Sequence, residues 1–437
     1  MARSRQIQSL ILRIGLRAAI TALASVFVLM VVVTQAAQAQ TFTVIHSFTG
    51  GPDGGVPTAG LIMDAAGNLY GTAYNGGLPN CDSGCGTVFR LTNTGSSWIV
   101  KPLYAFQGGN DGAYPSAIVT IGPDGTLYGT TIAGGIGPCF DNNQPGCGIV
   151  FNLKPPANVQ PNALGGWTET VLYRFQGSDG GQPQYADLIF DKAGDLYGTS
   201  SSGGPGMFGT VYELMPSNGS WTLNTLHGFN GDDGAFPTSG VLFDNAGDLY
   251  GVVAGISSCS YACGAVYELT PSGAGWAEKS LYVFQDGNDG GDPGGGVIFD
   301  GSGNLYGGTT AYGMGSGGTV YELMPSGGAW TFNLLHSLTG GQGGGPRDSL
   351  VMDKAGNLYG AANGDGSHRW GSIFKLKPSN GGWTYTDLYD FTGGKDGGWP
   401  RGSLVLDGNG NLYGTTMTGG GGGCNPNGCG VVFEITP

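Results

Sequence analysis

Basic side chains are scarce in this chain: 17 Lys and Arg stand against 31 Asp and Glu, a formal charge of −14 at neutral pH. That balance argues against a nucleic-acid partner, whose affinity depends on cations neutralising phosphates. It favours solubility and leaves cations or neutral molecules as partners. Histidine is scarcer still, with four residues, so a metal site built on the cysteines would lack ligands to complete it. Beyond the first 39 residues no stretch is apolar enough to cross a bilayer.

Those 39 residues read as a secretory signal. Arg3, Arg5, Arg13 and Arg17 form a positive start, Ala18 to Val33 an apolar run, and Ala37-Gln38-Ala39 a small-x-small cleavage site before Gln40. An uncleaved anchor is the alternative. Cleavage removes four arginines and no acid, leaving 13 Lys and Arg against the same 31 acids and a charge of −18. The expected compartment is the periplasm, the cell surface or the medium. There the eight cysteines read as four local disulfides, Cys81/Cys85, Cys139/Cys147, Cys259/Cys263 and Cys424/Cys429. Closing such short loops contributes about 2 kcal/mol each in the chain-entropy model.

Glycine is abundant, at 89 of 437 residues, but it recurs in register beside Tyr, Phe, Trp and Val. Leu-Tyr-Gly returns with Tyr70, Tyr128, Tyr197, Tyr250, Tyr306, Tyr359 and Tyr413, in steps of 58, 69, 53, 56, 53 and 54 residues. The chain is therefore seven copies of one unit. Each copy offers four strands, shown by the first: Leu61 to Asp64 (a), Asn68 to Thr72 (b), Thr87 to Leu91 (c) and Trp98 to Phe106 (d). In strand d, Trp98 and its equivalents precede an apolar residue by eight, an even spacing that places both, with Tyr104 between them, on one face. Pro155 to Gly166 lengthens the c–d loop of the second copy.

Thr41 to Phe48 looks like a strand d without a preceding copy, and the seventh copy stops at Pro437 without its own strand d. The two ends complete one unit. The predicted fold is thus a single all-β domain over residues 40–437, a seven-bladed β-propeller of four-stranded blades closed by the N-terminal strand. An open solenoid would instead need capping repeats.

The repeat resembles the bacterial GloVer tandem-repeat family. Leu-Tyr-Gly-Thr-Thr at Leu127 to Thr131 and Leu412 to Thr416, with Gly-Thr-Val-Phe/Tyr at Gly86 to Phe89, Gly209 to Tyr212 and Gly318 to Tyr321, carries the likeness. The resemblance implies an exported protein and supplies no activity or catalytic residues. Family members carry varied surface-anchoring tails, and no C-terminal sorting tail precedes Pro437.

Candidate chemistry sits in the d–a and b–c loops, which share one face of a propeller. Asp53, Asp111, Asp179, Asp233, Asp289 and Asp396 recur in the d–a loop, with Gln342 in the sixth copy. They read either as a carboxylate ring for Ca²⁺ or sugar hydroxyls, or as turn residues bonding their own backbone. A second series, Asp64, Asp191, Asp244, Asp300, Asp353 and Asp407, is expected to cap the a–b turn on the opposite face. His46, His227 and His336 take the place of strand-d tyrosines and read as packing residues.

Departures from the repeat are the better guide. After the loop proline, five copies carry Thr58, Ser116, Gln184, Thr238 and Gly294, whereas the last two carry Arg347 and Arg401. Lys395, Trp399, His368 and Arg369 are near in sequence or in neighbouring loops, and the last two copies hold seven of the 13 mature Lys and Arg. Such a patch suits a carboxylated or sulfated sugar, Arg forking to the anion and Trp stacking on the ring. Alternatively these are solvated loop cations that offset nearby acids. The expected function is a monomeric binding module for an extracellular glycan or surface protein. A polysaccharide hydrolase or lyase and a purely structural envelope protein are the alternatives.

Overall fold

The computed structural model describes residues 40–156, 166–257, 259, 263–273, 275–341, 343–424 and 426–437. The signal segment, the middle of the second-copy insertion and Gln342 lie outside the described residues. The repeats form seven antiparallel sheets in a–b–c–d order. In blade 1 these strands are Ile62–Met63, Leu69–Ala73, Thr87–Asn93 and Trp98–Ala105. Blade 7 runs Val405–Leu406, Leu412–Thr416 and Val431–Thr436, and takes Thr41–Ser47 as its outer strand. Just beyond that strand Phe48 N–H donates to Gly430 O at 3.0 Å.

The core confirms a closed ring. Among the described residues the buried side chains fall into seven clusters, each between two successive blades. Seven blades stacked in an open row would make only six such interfaces. The seventh joins Tyr413 and Val432 of blade 7, with Phe48, to Leu69, Phe89 and Leu91 of blade 1. Strand b is buried almost throughout. Its central glycine is obligatory, because a Cβ at Gly71 would stand 2.7 Å from Phe89 Cζ and 2.8 Å from Leu61 Cδ2.

Strand d departs from the expected face. Trp98 packs toward blade 7, its ring 5.6 Å from Tyr413, whereas Tyr104 and Phe106 pack toward blade 2, Phe106 lying 5.1 Å from Phe151. The cause is a β-bulge: Val88 pairs Tyr104 but Phe89 pairs Pro102. The extra residue inverts the side-chain alternation between the two ends of the strand. The same shift recurs in blades 2 to 6, so one strand fills both neighbouring interfaces. Its Tyr or His then meets the strand-d residue two past the Trp position of the next blade. Tyr282 stacks on Phe332 at 4.7 Å, His336 on Tyr385 at 4.0 Å, and Tyr389 on Phe42 of the N-terminal strand at 3.7 Å.

All four expected disulfides are present, Cys81–Cys85, Cys139–Cys147, Cys259–Cys263 and Cys424–Cys429, in the b–c loops of blades 1, 2, 4 and 7. Beyond closing their loops, the second cysteine of each pair belongs to the interior. Cys85, Cys147 and Cys429 are wholly buried and Cys263 is 4% exposed. The physical reason is position: each stands one residue before the glycine that leads into strand c, so its sulfur packs under the loop. Cys85, Cys147 and Cys429 join the apolar clusters between blades. These sulfurs are therefore core atoms, closed to a ligand or a metal. Phe208 and Trp370 occupy the disulfide's place in blades 3 and 6 and pack on Phe236 and Trp399 of the following blade.

Phe48 carries both the closing backbone bond and a fully buried ring. Phe48→Ala is expected to cost about 3–5 kcal/mol in denaturant unfolding. A loss below about 1 kcal/mol, the range of ordinary surface changes, would show that the 7–1 interface does not hold the ring.

Candidate ligand site at the propeller axis

The d–a loops run inward and deliver one short segment per blade to the centre. Their carboxylate series is consumed by the loops themselves. Tyr104 Oη–H donates to Asp111 Oδ1 at 2.5 Å and Gln107 N–H to its other oxygen at 2.7 Å. Asp179, Asp289 and Asp396 take the same pair of donors from Tyr173, Tyr282 and Tyr389 and from the backbone N–H of Gln176, Gln285 and Thr392. In Asp53 and Asp233 the tyrosine is replaced by His46 and His227, each with Nε2 3.1 Å from Oδ2. Blade 6 makes the bond from elsewhere: Asp365, in its b–c loop, accepts Thr339 N–H at 3.2 Å. Among the described residues no three of His, Cys, Asp and Glu form a metal-holding group. The second series caps the a–b turns as expected, Asp64 Oδ1 accepting Ala66 and Asn68 N–H, both at 2.9 Å.

The repeat-breaking arginines converge. Arg347 and Arg401 line one pocket of about 40 Å³ together with Thr58, Tyr185, Thr238, Asp292, Gly294 and Thr310. Six of the seven blades contribute, a convergence possible only on the axis. Arg401 Nη1–H donates to Tyr185 Oη at 3.1 Å. No carboxylate lies within salt-bridge distance of either guanidinium; the ion pairs among the described residues are those of His46 and His227. Burial, and then the charge of Arg401, lower the pKa of Arg347, while Asp292 acts in the opposite sense. Two half-buried cations thus face each other under-compensated, an arrangement that costs free energy in the unliganded chain.

The remaining patch candidates do not line this pocket. Trp399 turns from it and stacks on Trp370, centroids 5.0 Å apart. Lys395, His368 and Arg369 are exposed on their loops, with Ser367 Oγ 3.1 Å from His368 Nδ1. Of the residues sharing Trp399's register, Tyr114 is 1% exposed and stacks on Tyr74, whereas Phe236 is 48% exposed.

Sequence reasoning missed Tyr185, Asp292 and Thr310. Five positions separate Pro183 from Leu188, against four from Pro57 to Leu61. That extra residue puts Tyr185, not Gln184, at the pocket. Also missed were Asp187 and Asp348, in the d–a loops of blades 3 and 6, which interact with each other across the ring. Asp187 Oδ1 accepts Ile118 N–H at 2.8 Å; Asp348 accepts Ser349 N–H at 2.7 Å and Ser403 N–H at 2.9 Å. Both keep some accessible surface but are surrounded by protein. Burial, and then the Asp348 charge, push the Asp187 carboxyl well above the usual range. Burial raises Asp348 too, against the pull of its two backbone donors.

The sequence profile of the Gloeobacter/Verrucomicrobia repeat matches residues 31–161 and 253–437. The chain belongs to that family. Between the matched segments the Gloeobacter/Verrucomicrobia repeat chain keeps the same blade architecture in blade 3. No curated protein sequence matches. Solved structures similar to it include an oxidoreductase (glucose dehydrogenase) from Thermus thermophilus, 16% identical with a TM-score of 0.42, covering 74% of this chain and 96% of that one. A gluconolactonase from Xanthomonas campestris is 14% identical with a TM-score of 0.40, covering 75% and 90%. The sheet pairing, not these likenesses, establishes the propeller.

The raised carboxyls fix a sign. A group whose pKa is higher in the folded than in the unfolded chain contributes stability below its unfolded value, near 4, and loses it as pH rises through the folded value. Asp187→Asn keeps an acceptor for Ile118 N–H and removes one charge. Its melting temperature is expected to exceed that of the parent at pH 8, by an amount equivalent to about 1 kcal/mol or more, with the gap gone by pH 4. A constant gap across this range would show that the pair does not share the axis electrostatically.

Proposed function

We propose that this chain is an exported, monomeric binding module whose loop face takes an acidic extracellular ligand, a carboxylated or sulfated polysaccharide, at the propeller axis. The observation that carries this reading is the meeting of Arg347 and Arg401 in one pocket without a carboxylate partner. In a repeat protein the residues that serve the unit recur, and the residues that serve one site are the exceptions. These two are exceptions in adjacent blades. A guanidinium forks onto carboxylate or sulfate oxygens with directional, charge-assisted bonds.

Export accords with the four disulfides, which belong to an oxidising, non-cytoplasmic compartment. No helix among the described residues is long and apolar enough to cross a membrane. A hydrolytic reading would require a carboxyl pair about 5–10 Å apart flanking a glycosidic bond. Asp292 is the one carboxyl lining the pocket, and the off-register Asp187 and Asp348 do not line it, so the pocket holds no such pair. Binding is therefore the stronger reading.

Residues 40–437 applied to a polysaccharide array are expected to retain polyuronides and sulfated glycans, with affinity falling as salt is raised. Arg347→Ala and Arg401→Ala are each expected to weaken that binding by about tenfold or more, equivalent to about 1.4 kcal/mol. Equal retention of neutral glycans, or new reducing ends on incubation, would contradict the proposal; the second result would favour a hydrolase or lyase.

A further inference from the structure

The axial pocket has a more specific chemistry than its positive charge. Thr58 is 6% exposed, and its Oγ1 has no hydrogen-bond partner within the chain. The Nε of Arg347 and the Nε of Arg401 are likewise buried without a partner. Buried polar groups are nearly always satisfied, and three such donors around one small pocket call for a common acceptor. The neighbouring hydroxyls are not in this condition: Thr238 donates to Pro293 O at 2.9 Å and Thr310 to Asp292 Oδ2 at 2.5 Å. Tyr185 accepts from Arg401, which leaves its own O–H hydrogen to donate. Ser116 Oγ, in turn, accepts from Tyr185 N–H at 3.4 Å and holds that residue from blade 2.

Charge and size narrow the ligand further. Two guanidiniums and the Asp292 carboxylate give the pocket a net charge of about +1, which a monoanion balances and a dianion exceeds. A volume of about 40 Å³ admits one oxyanion head but no sugar ring. A head that enters such a pocket must be attached to its parent by a single bond, because a diester would have to bring two substituents through the same mouth. Resting on the binding reading above, we infer that Arg347, Arg401, Thr58 and Tyr185 form an end-on socket for a singly attached, singly charged oxyanion, the carboxylate of a uronic acid or a sulfate monoester. The ligand's chain then lies across the loop face, and only its pendant acid reaches the axis.

The test is calorimetric titration and thermal shift of residues 40–437, at fixed ionic strength, with galacturonate, glucose 6-sulfate, glucose 6-phosphate, dimethyl phosphate and glucose. Galacturonate or glucose 6-sulfate, or both, are expected to bind and to raise the melting temperature saturably, and which does so identifies the acid. Glucose and dimethyl phosphate are expected to do neither, and glucose 6-phosphate to bind more weakly. Arg347→Leu and Arg401→Leu should each reduce binding at least tenfold.

Thr58→Val separates a binding role from a structural one. It should weaken binding several-fold while leaving the unliganded melting temperature equal to or above that of the parent, since it removes an unpaired buried hydroxyl. A fall in melting temperature with unchanged binding would overturn the socket. So would tight binding of dimethyl phosphate, preference for the dianion, unchanged binding by both arginine variants, or no small oxyanion bound at tens of millimolar. If polysaccharide binds parent and arginine variants equally, the socket falls and the binding-module reading stands. If the small acids bind through the arginines but no polysaccharide does, the socket stands and the glycan reading falls.

Discussion

The constraint on which the molecule depends is ring closure. Thr41–Ser47 completes a blade whose other strands lie some four hundred residues later, at the far end of the chain, so the seventh interface forms only when both ends are in place. Contacts of such sequence separation carry the full loop-closure cost of the chain between them. They are also what turns seven similar units into an object with a centre. Residues from blades 1, 3, 4, 5, 6 and 7 meet at the axis only because blade 7 abuts blade 1, and the site is in that sense a product of closure.

Within each unit the sequence is economical. The loop aspartates, which could have been read as a calcium ring, satisfy backbone N–H groups and a strand-d Tyr or His. Blade 6 shows that the bond matters more than the residue's place in the repeat, since Asp365 supplies it from another loop. The strand-d bulge works similarly, because one extra residue lets a single strand present Trp98 to one neighbour and Tyr104 to the other. Once this uniform chemistry is assigned, what departs from it is confined to a few positions around the axis.

How much of this was legible in the sequence follows from that division. The period of Leu-Tyr-Gly and the complementary chain ends specify seven blades and a closed ring, and the cysteine spacing specifies the disulfides. Spacing did not show that one sulfur of each pair is a core atom, since burial depends on how the loop folds back over strand c. The bulge was not legible either, because spacing along one strand cannot show where its partner skips a residue. Arg347 and Arg401 were legible as exceptions in a shared register. Tyr185 was obscured by a one-residue insertion, while Asp292 and Thr310 reach the pocket from other registers. Trp399 shares a loop with Arg401 but follows a different preference, since its ring stacks on Trp370. Adjacency in sequence placed it in the patch; packing took it out.

The central claim is that the axis, not the exposed loop cations, holds the acid. Crystals of residues 40–437 soaked in 4-bromobenzoate, a singly attached carboxylate monoanion whose bromine gives an anomalous signal, test it most directly. The account predicts an anomalous peak at the mouth of the axial pocket, with the carboxylate within hydrogen-bond distance of Arg347 and Arg401, lost in Arg401→Leu. The carboxylate bound at Lys395, His368 or Arg369 with none at the axis would contradict it.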